Sequence, residues 1–444
     1  MAIVAPFRGW RYDPARTGSS LLHVTAPPYD VIGRSFQDEL YQMSPYNVVR
    51  VDLGKSVESD TDVDNRYTRA AEQLAEWKST GVLVRDPQPG VTIIRESYVG
   101  PDGQARDRRG FLAALKLSDF SERIVFPHEA TLSGPKNDRF RLMNETRMSL
   151  SPVFLLYSLP GDAVMGAWDS IAGDTPPVAS MVDPVGTTTS LWPTSNREVL
   201  SAITEHLADT PLLIADGHHR YETALRYRDA RHERGDGPGP WDYALVYLCN
   251  MEDPGLAIFA THRMIRGLPS GLIERLPDAL RFSFWVEELT DDSVLAPEAV
   301  RHFLSAHTDE GGAFGLYLPD RHTAYGLTLK DKYAPESSAD DVHSVAYHHL
   351  DVAILHNVIL HDLLYITPDD VAAGHHLTFS KNWGRAFDRL DKGESQAGFF
   401  MNPAKLPQVT EVAMGGERLP QKSTYFYPKL PTGLVFFDLG VPEL

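Results

Sequence analysis

Apolar residues in this chain come in short runs broken by Gly and Pro, and the spacing within each run separates helices from strands. Residues 67–78 set Ala70, Ala71, Leu74 and Trp77 along one stripe at helical spacing, which predicts an amphipathic helix. Residues 91–99 read as a strand and Gly100, Pro101, Asp102 and Gly103 as a turn, so 106–114 is expected to pair back as a hairpin. Apolar runs at 153–157, 212–215 and 241–249 predict further strands, the last after a Gly- and Pro-rich break at 235–240. Beyond them, 314–318 and 324–329 form a hairpin-like pair across Pro319, Asp320, Arg321 and His322, 349–364 reads as a helix, and 398–401 and 433–437 return to strand. Strands alternating with helices predict a mixed α/β (α+β) fold. At 444 residues the chain exceeds what one hydrophobic core usually serves, so several domains are expected. Their predicted bounds are 1–110 (an N-terminal α/β domain), 111–265 (a central domain), 266–400 (an inserted or third α+β unit) and 401–444 (a C-terminal segment returning to the central site). No internal repeat is apparent.

One run ends in chemistry. Residues 212–215 are apolar and bounded by Pro211 and Gly217, and after Asp216 and Gly217 the period changes: Tyr221, Ala224, Leu225 and Arg228 fall at helical spacing. Glu222 also precedes Arg226 by four residues, the favourable order for a helical pair. The helix therefore starts at His218 and His219. Unpaired N–H groups and the positive end of the helix dipole gather there, which suits phosphate or carboxylate, and Arg220 adds a bidentate fork. The alternative is an Asp216-capped helix with the two histidines on the surface beside a turn.

Composition is that of an ordinary globular protein, 42% hydrophobic and 23% charged. With 60 acidic against 42 basic residues the net charge is −18, which opposes nucleic acid and anionic membrane as partners. The single cysteine, Cys249, excludes an intrachain disulfide framework and a cysteine-rich zinc or iron–sulfur site, and it lies in an apolar run where core packing is its expected role. The first residues lack the basic-then-apolar pattern of a secretory signal, and no 18-residue window is apolar and uncharged enough to span a bilayer. A soluble, cytoplasmic protein is expected.

Other segments carry candidate groups. His128, Glu129 and Thr131, followed by Lys136 and Arg139, combine a potential base with cations that share a face if the segment is helical; a solvated loop is the alternative. Around Lys422, Gly416 tempts a phosphate-loop reading, but Gln421 stands where that loop needs glycine and Pro420 precedes it. Lys422, Ser423, Tyr427 and Lys429 can still meet a phosphate by another geometry. In the histidine-rich stretch His348, His349, His356, His361, the pair seven apart is separated by roughly 10.5 Å along a helix at ~1.5 Å per residue, too far to share one ion. Structural zinc is not expected, whereas magnesium brought by a nucleotide needs only a carboxylate or two.

The chain resembles, nearly end to end, the bacterial and archaeal family called domain of unknown function 1015. The resemblance rests on Ala-Pro-Pro-Tyr-Asp-Val-Ile at 26–32, Pro-Tyr-Asn at 45–47, Pro-His-Glu-Ala-Thr at 127–131, Asp-Gly-His-His-Arg-Tyr-Glu-Thr-Ala at 216–224, Thr-His-Arg at 261–263 and Leu-Pro-Gln-Lys-Ser-Thr-Tyr-Phe-Tyr-Pro-Lys at 419–429. More locally, Asp216 to Arg220 resembles the phosphate-binding turn of ParB-type nucleotide-binding domains and of the related free-serine kinase, which implies phosphate contact at Gly217, His218 and Arg220. The expectation is an enzyme acting on a phosphorylated small molecule or nucleotide, a phosphotransferase using ATP or ADP with Mg²⁺. Glu129 would be its base, Asp216 would orient His218 or His219 and hold magnesium, and Arg220, Arg263 and Lys422 would neutralise phosphoryl charge. Tyr29, Asp30, Asn47, His128, Lys136, Arg139, His262, Ser423, Tyr427 and Lys429 complete the candidate binding set. Two other classes stay open: a non-catalytic nucleotide-binding regulatory module, and a metal-dependent hydrolase.

Overall fold

The computed structural model describes residues 1–18, 20–131, 133–172, 175–289, 295–331 and 343–441. The chain divides into two compact units, Met1–Pro127 with Thr131–Ala257 and Pro428–Leu444, and His128–Ala130 with Ile258–Tyr427. The architecture is mixed α/β with several sheets.

The first unit is built on a nine-stranded sheet. Its order is Val125–Phe126, Leu212–Asp216, Val153–Tyr157, Tyr243–Asn250, Ala105–Lys116, Val91–Val99, Thr188–Thr194 and Ala179–Val182, with Val4–Ala5 also on Ala105–Lys116. The expected hairpin forms, pairing Thr92 with Leu112 and Val99 with Ala105. Leu212–Asp216 runs antiparallel to Val153–Tyr157, and their register slips between Ile214 and Asp216. Such an irregularity re-aims a side chain, and here it falls at the residue that opens the polar motif. The amphipathic stripe forms the helix Arg66–Ser79, capped by Asn65, whose side chain accepts from the N–H groups of Tyr67 and Thr68. Helices Ser133–Thr146 and His218–Glu233 pack against each other, and Leu155, Ile203, Leu212, Tyr221 and Val246 are among the core residues.

Within that sheet Glu96 and Arg108 face each other across the hairpin, both fully buried. Arg108 donates to Glu96 Oε2 through Nε at 2.9 Å and NH2 at 2.5 Å, and to the carbonyl of Pro428 at 2.8 Å.

The second unit has a six-stranded antiparallel sheet in the order Phe284–Glu288, Thr323–Leu329, Ala313–Leu318, Ala397–Met401, His262–Ile265 and Leu377–Ser380. The predicted hairpin across Pro319 is present. The predicted helix over 349–364 is broken: Asp351–Ile354 is one α-turn, and Leu355–Leu363 continues as a wider π-helix. π-Geometry is rare and concentrates at functional sites. In the predicted strand at 433–437, Phe437 alone enters a ladder, as part of Phe437–Asp438 paired with Met148–Ser149. No helix among the described residues is long and apolar enough to cross a membrane.

Removing one partner of a buried ion pair strands the other, so Arg108→Leu is expected to destabilise the protein by about 3–5 kcal/mol in urea unfolding. Glu96→Leu combined with Arg108→Leu should recover most of that loss. A double variant as unstable as the single one would show that packing, not charge, dominates here.

Candidate functional site

Asp216 ends its strand, and Gly217 turns the chain into the helix His218–Glu233 with φ +91°, a left-handed conformation that favours glycine. A Cβ at 217 would stand 2.8–2.9 Å from the guanidinium of Arg220, so a larger residue there would have to displace that side chain. Arg220 folds back over that backbone, donating to Asp216 Oδ2 at 2.6 Å and to the carbonyl of Pro152. Lys429 donates to the other oxygen, Asp216 Oδ1. Burial opposes the charge on Asp216, but Lys429 and then Arg220 outweigh it and hold the carboxyl well below the usual carboxylate range. Asp216 is therefore an ionised counter-ion with a cation on each oxygen. His218 is buried beside it and His219 half-buried.

A second layer of charge lies in the same unit. Arg139, on the helix Ser133–Thr146, is buried and donates to Asp52 Oδ1 at 3.0 Å and to Asp138 Oδ2 at 2.6 and 2.8 Å. Its guanidinium lies 4.2 Å from the centre of the Tyr29 ring. Burial pushes the Tyr29 hydroxyl up to about 12, against the pull of Arg139 and Arg220. Burial also pushes Asp52 up, against the same two cations. A small cavity of about 40 Å³ touches Asp52, Arg139 and Arg220, room for little more than one water.

The second unit has its own polar cluster. Glu129 Oε1 accepts from the backbone N–H of Ser423 at 3.1 Å and of Thr424 at 3.4 Å. His128 Nε2 lies 2.8 Å from Thr424 Oγ1, and the His128 carbonyl accepts from the N–H of Leu419. Lys422 is exposed with φ +59°, which turns the loop so that the two following N–H groups reach one carboxylate. Arg263 is fully buried, donates to the Thr261 carbonyl, and sits 3.3–3.4 Å from His356 Nε2 and 3.5 Å from the Gln421 carbonyl. Burial lowers its pKa to about 10, opposed by Glu129.

The family model described as protein of unknown function (DUF1015) matches residues 4–353. The chain belongs to the DUF1015 family. No curated protein matches it. Among solved structures, a free serine kinase mutant in complex with ADP is similar at 13% identity and a TM-score of 0.35, covering 71% of this chain and 88% of that one. A conserved hypothetical protein from Pyrococcus furiosus is similar at 16% identity and a TM-score of 0.33, covering 71% and 92%. SbnI with a C-terminal truncation, from Staphylococcus aureus, follows at 9% identity and a TM-score of 0.31, covering 70% and 82%.

The candidate residues of this DUF1015 chain fall into both units. The first unit brings Asp216, Gly217, His218, Arg220 and Lys429 together, with Tyr29 and Arg139 in the charged layer and Asp30 exposed. Several of the expected ligand groups have partners within the protein. Asn47 is fully buried, its amide donating to the carbonyls of His23 and Thr25 while its oxygen accepts from the N–H of Val49. Lys136 is ion-paired with Glu222 at 2.8 Å, and Arg139 is neutralised by its two aspartates. His262 packs against Trp383 and Phe400, on the opposite side of its strand from Arg263, and burial followed by Arg263 drives its pKa down to about 3. Tyr427 stacks edge-on with Phe259, and the Ser423 hydroxyl donates to the carbonyl of Pro420. Sequence reasoning did not single out Asp52 or Asp138, and took His356 only as part of a histidine-rich stretch. Asp52 had a signal: a carboxylate inside the run Val48, Val49, Val51, Leu53 needs a buried partner.

The depressed pKa of Asp216 means that its contribution to stability is present above the ordinary carboxylate range and is lost as pH falls through the folded value. Asp216→Asn removes that contribution and is expected to destabilise by about 1.5–3 kcal/mol at pH 7, with a smaller loss near pH 3. Thermal unfolding of both proteins across pH checks this, and an equal loss at both pH values would rule out the ionised role.

Proposed function

We propose that this protein handles a nucleotide or another phosphorylated small molecule, takes the phosphate at the start of the helix His218–Glu233, and acts as a phosphotransferase. The observation that carries the reading is the convergence of Arg220 and Lys429 on the single carboxylate of Asp216. Two cations on one anion leave a net positive charge, and it stands at the positive end of a 16-residue helix. Arg139 adds no such excess, since Asp52 and Asp138 balance it. The turn from Asp216 to Arg220, which resembles that of ParB-type nucleotide-binding domains, supports phosphate contact by Gly217, His218 and Arg220. ATP or ADP is the nucleotide class this reading favours. Asp216 does not fit a magnesium ligand, because each of its oxygens already meets a cation. Among the described residues no group of three or more His, Cys, Asp or Glu side chains is placed to hold a metal.

The same observation favours a second reading, a nucleotide-binding regulatory module: a carboxylate held as a counter-ion is a poor proton acceptor. Turnover separates the two. Calorimetry with ATP, ADP and pyrophosphate is expected to show binding that Arg220→Ala and Lys429→Ala each weaken by about 2 kcal/mol, roughly 30-fold. ATP consumption in the presence of small hydroxyl compounds would favour the enzyme, and binding without consumption would favour the module. Unchanged affinity in both variants would overturn the site itself.

A further inference from the structure

A cavity of about 320 Å³ lies in the second unit, walled on one side by the π-helix Leu355–Leu363 and on the other by the loop from Arg418 to Gln421. That volume is at the lower end of small-molecule sites. Its lining is of two kinds. Tyr347, Ile366 and Val371 present apolar surface, while His356, Asn357 and Arg418 supply polar groups.

Arg263 stands behind His356. The guanidinium is wholly buried, and the groups it donates to are neutral: the carbonyls of Thr261 and Gln421, the His356 ring and the Met401 sulfur at 3.8 Å. Among the described residues no carboxylate lies within ion-pair distance of it; Glu129 is the one that acts on its charge. Buried charge of one sign is costly and favours an opposite charge nearby.

Arg263 also sets the chemistry of the cavity wall. Arginine has donors only, so the nitrogen it meets, His356 Nε2, must be the acceptor of that ring and the proton sits on Nδ1. Burial, and then Arg263, hold the His356 pKa down to about 3, so the ring stays neutral at physiological pH. A residue of the cavity lining is thus a neutral ring with its proton on Nδ1, and a buried positive charge stands against its other nitrogen.

We infer that this cavity is a binding site for a small organic anion, its acidic head toward His356 and the buried Arg263 and its apolar body against Tyr347, Ile366 and Val371. A carboxylic and a phosphoric acid share this chemistry. The site is independent of the phosphate reading of Asp216, and its readout is His356 itself.

The test is NMR of the full-length protein labelled with ¹⁵N-histidine, titrated separately with sodium benzoate and phenyl phosphate, with His356→Phe used to assign the resonance. The expected result is an Nδ1–H tautomer for His356 and a saturable shift with at least one probe, which also tells whether the head is carboxylate or phosphoryl. Val371→Trp, which fills the cavity without touching Arg263, should weaken that probe by about tenfold or more. The proposal is overturned if His356 carries its proton on Nε2, if neither probe moves it at millimolar concentration, or if Val371→Trp leaves the affinity unchanged. Phenyl phosphate that binds without moving His356 occupies another site and leaves the Asp216 reading standing; with benzoate also without effect on His356, the present proposal is overturned.

Discussion

Arg108 lies with its guanidinium against the rings of Phe154 and Tyr247, at 4.9 and 5.7 Å from their centres, joined to Glu96 and shut off from water. Burial works against its charge, but Glu96 keeps it protonated. A donor so placed must find acceptors, and one of them is the carbonyl of Pro428. That bond ties the returning C-terminal segment to the central hairpin at the residue before Lys429, and Lys429 then reaches Asp216. The ammonium of the candidate site is therefore positioned by an ion pair that itself never meets a ligand.

The first unit handles its remaining charges by the same logic. Arg139, Asp52 and Asp138 are buried or half-buried and neutralise one another, with Arg66 and the Tyr67 hydroxyl completing the coordination of Asp138. Burial of these groups is costly singly and acceptable together. Asp216 differs because its two partners leave positive charge over, and the helix dipole adds to it. In the second unit, the N–H groups of Ser423 and Thr424 converge on Glu129 while Arg263 meets neutral acceptors.

Much of the local structure was legible along the chain. The hairpin at 91–114, the strands at 153–157 and 212–215, and the helix beginning at His218 follow from period changes and Gly–Pro punctuation, which depend on neighbours within a few residues. The change of pitch into the π-helix at Leu355 was not legible, since apolar spacing alone does not separate it from an α-helix. The fate of single polar residues was harder still. Asn47, Lys136 and His262 carry the same side chains a ligand site would use, and their partners are backbone carbonyls, Glu222 and an aromatic wall.

By itself the sequence determined most of the element types, the mixed α/β class and the turn at Asp216 and Gly217, because each is set by local sterics, periodicity and the left-handed backbone that glycine permits. It also carried the family, through motifs short enough to stand as strings of residues. Tertiary structure alone decided which charges cancel. Asp216 meets Lys429 across a separation of 213 residues, and Glu129 meets Ser423 across 294. Electrostatic interaction depends on distance and burial, and neither can be read from spacing along a chain that returns to the same place by way of a second unit.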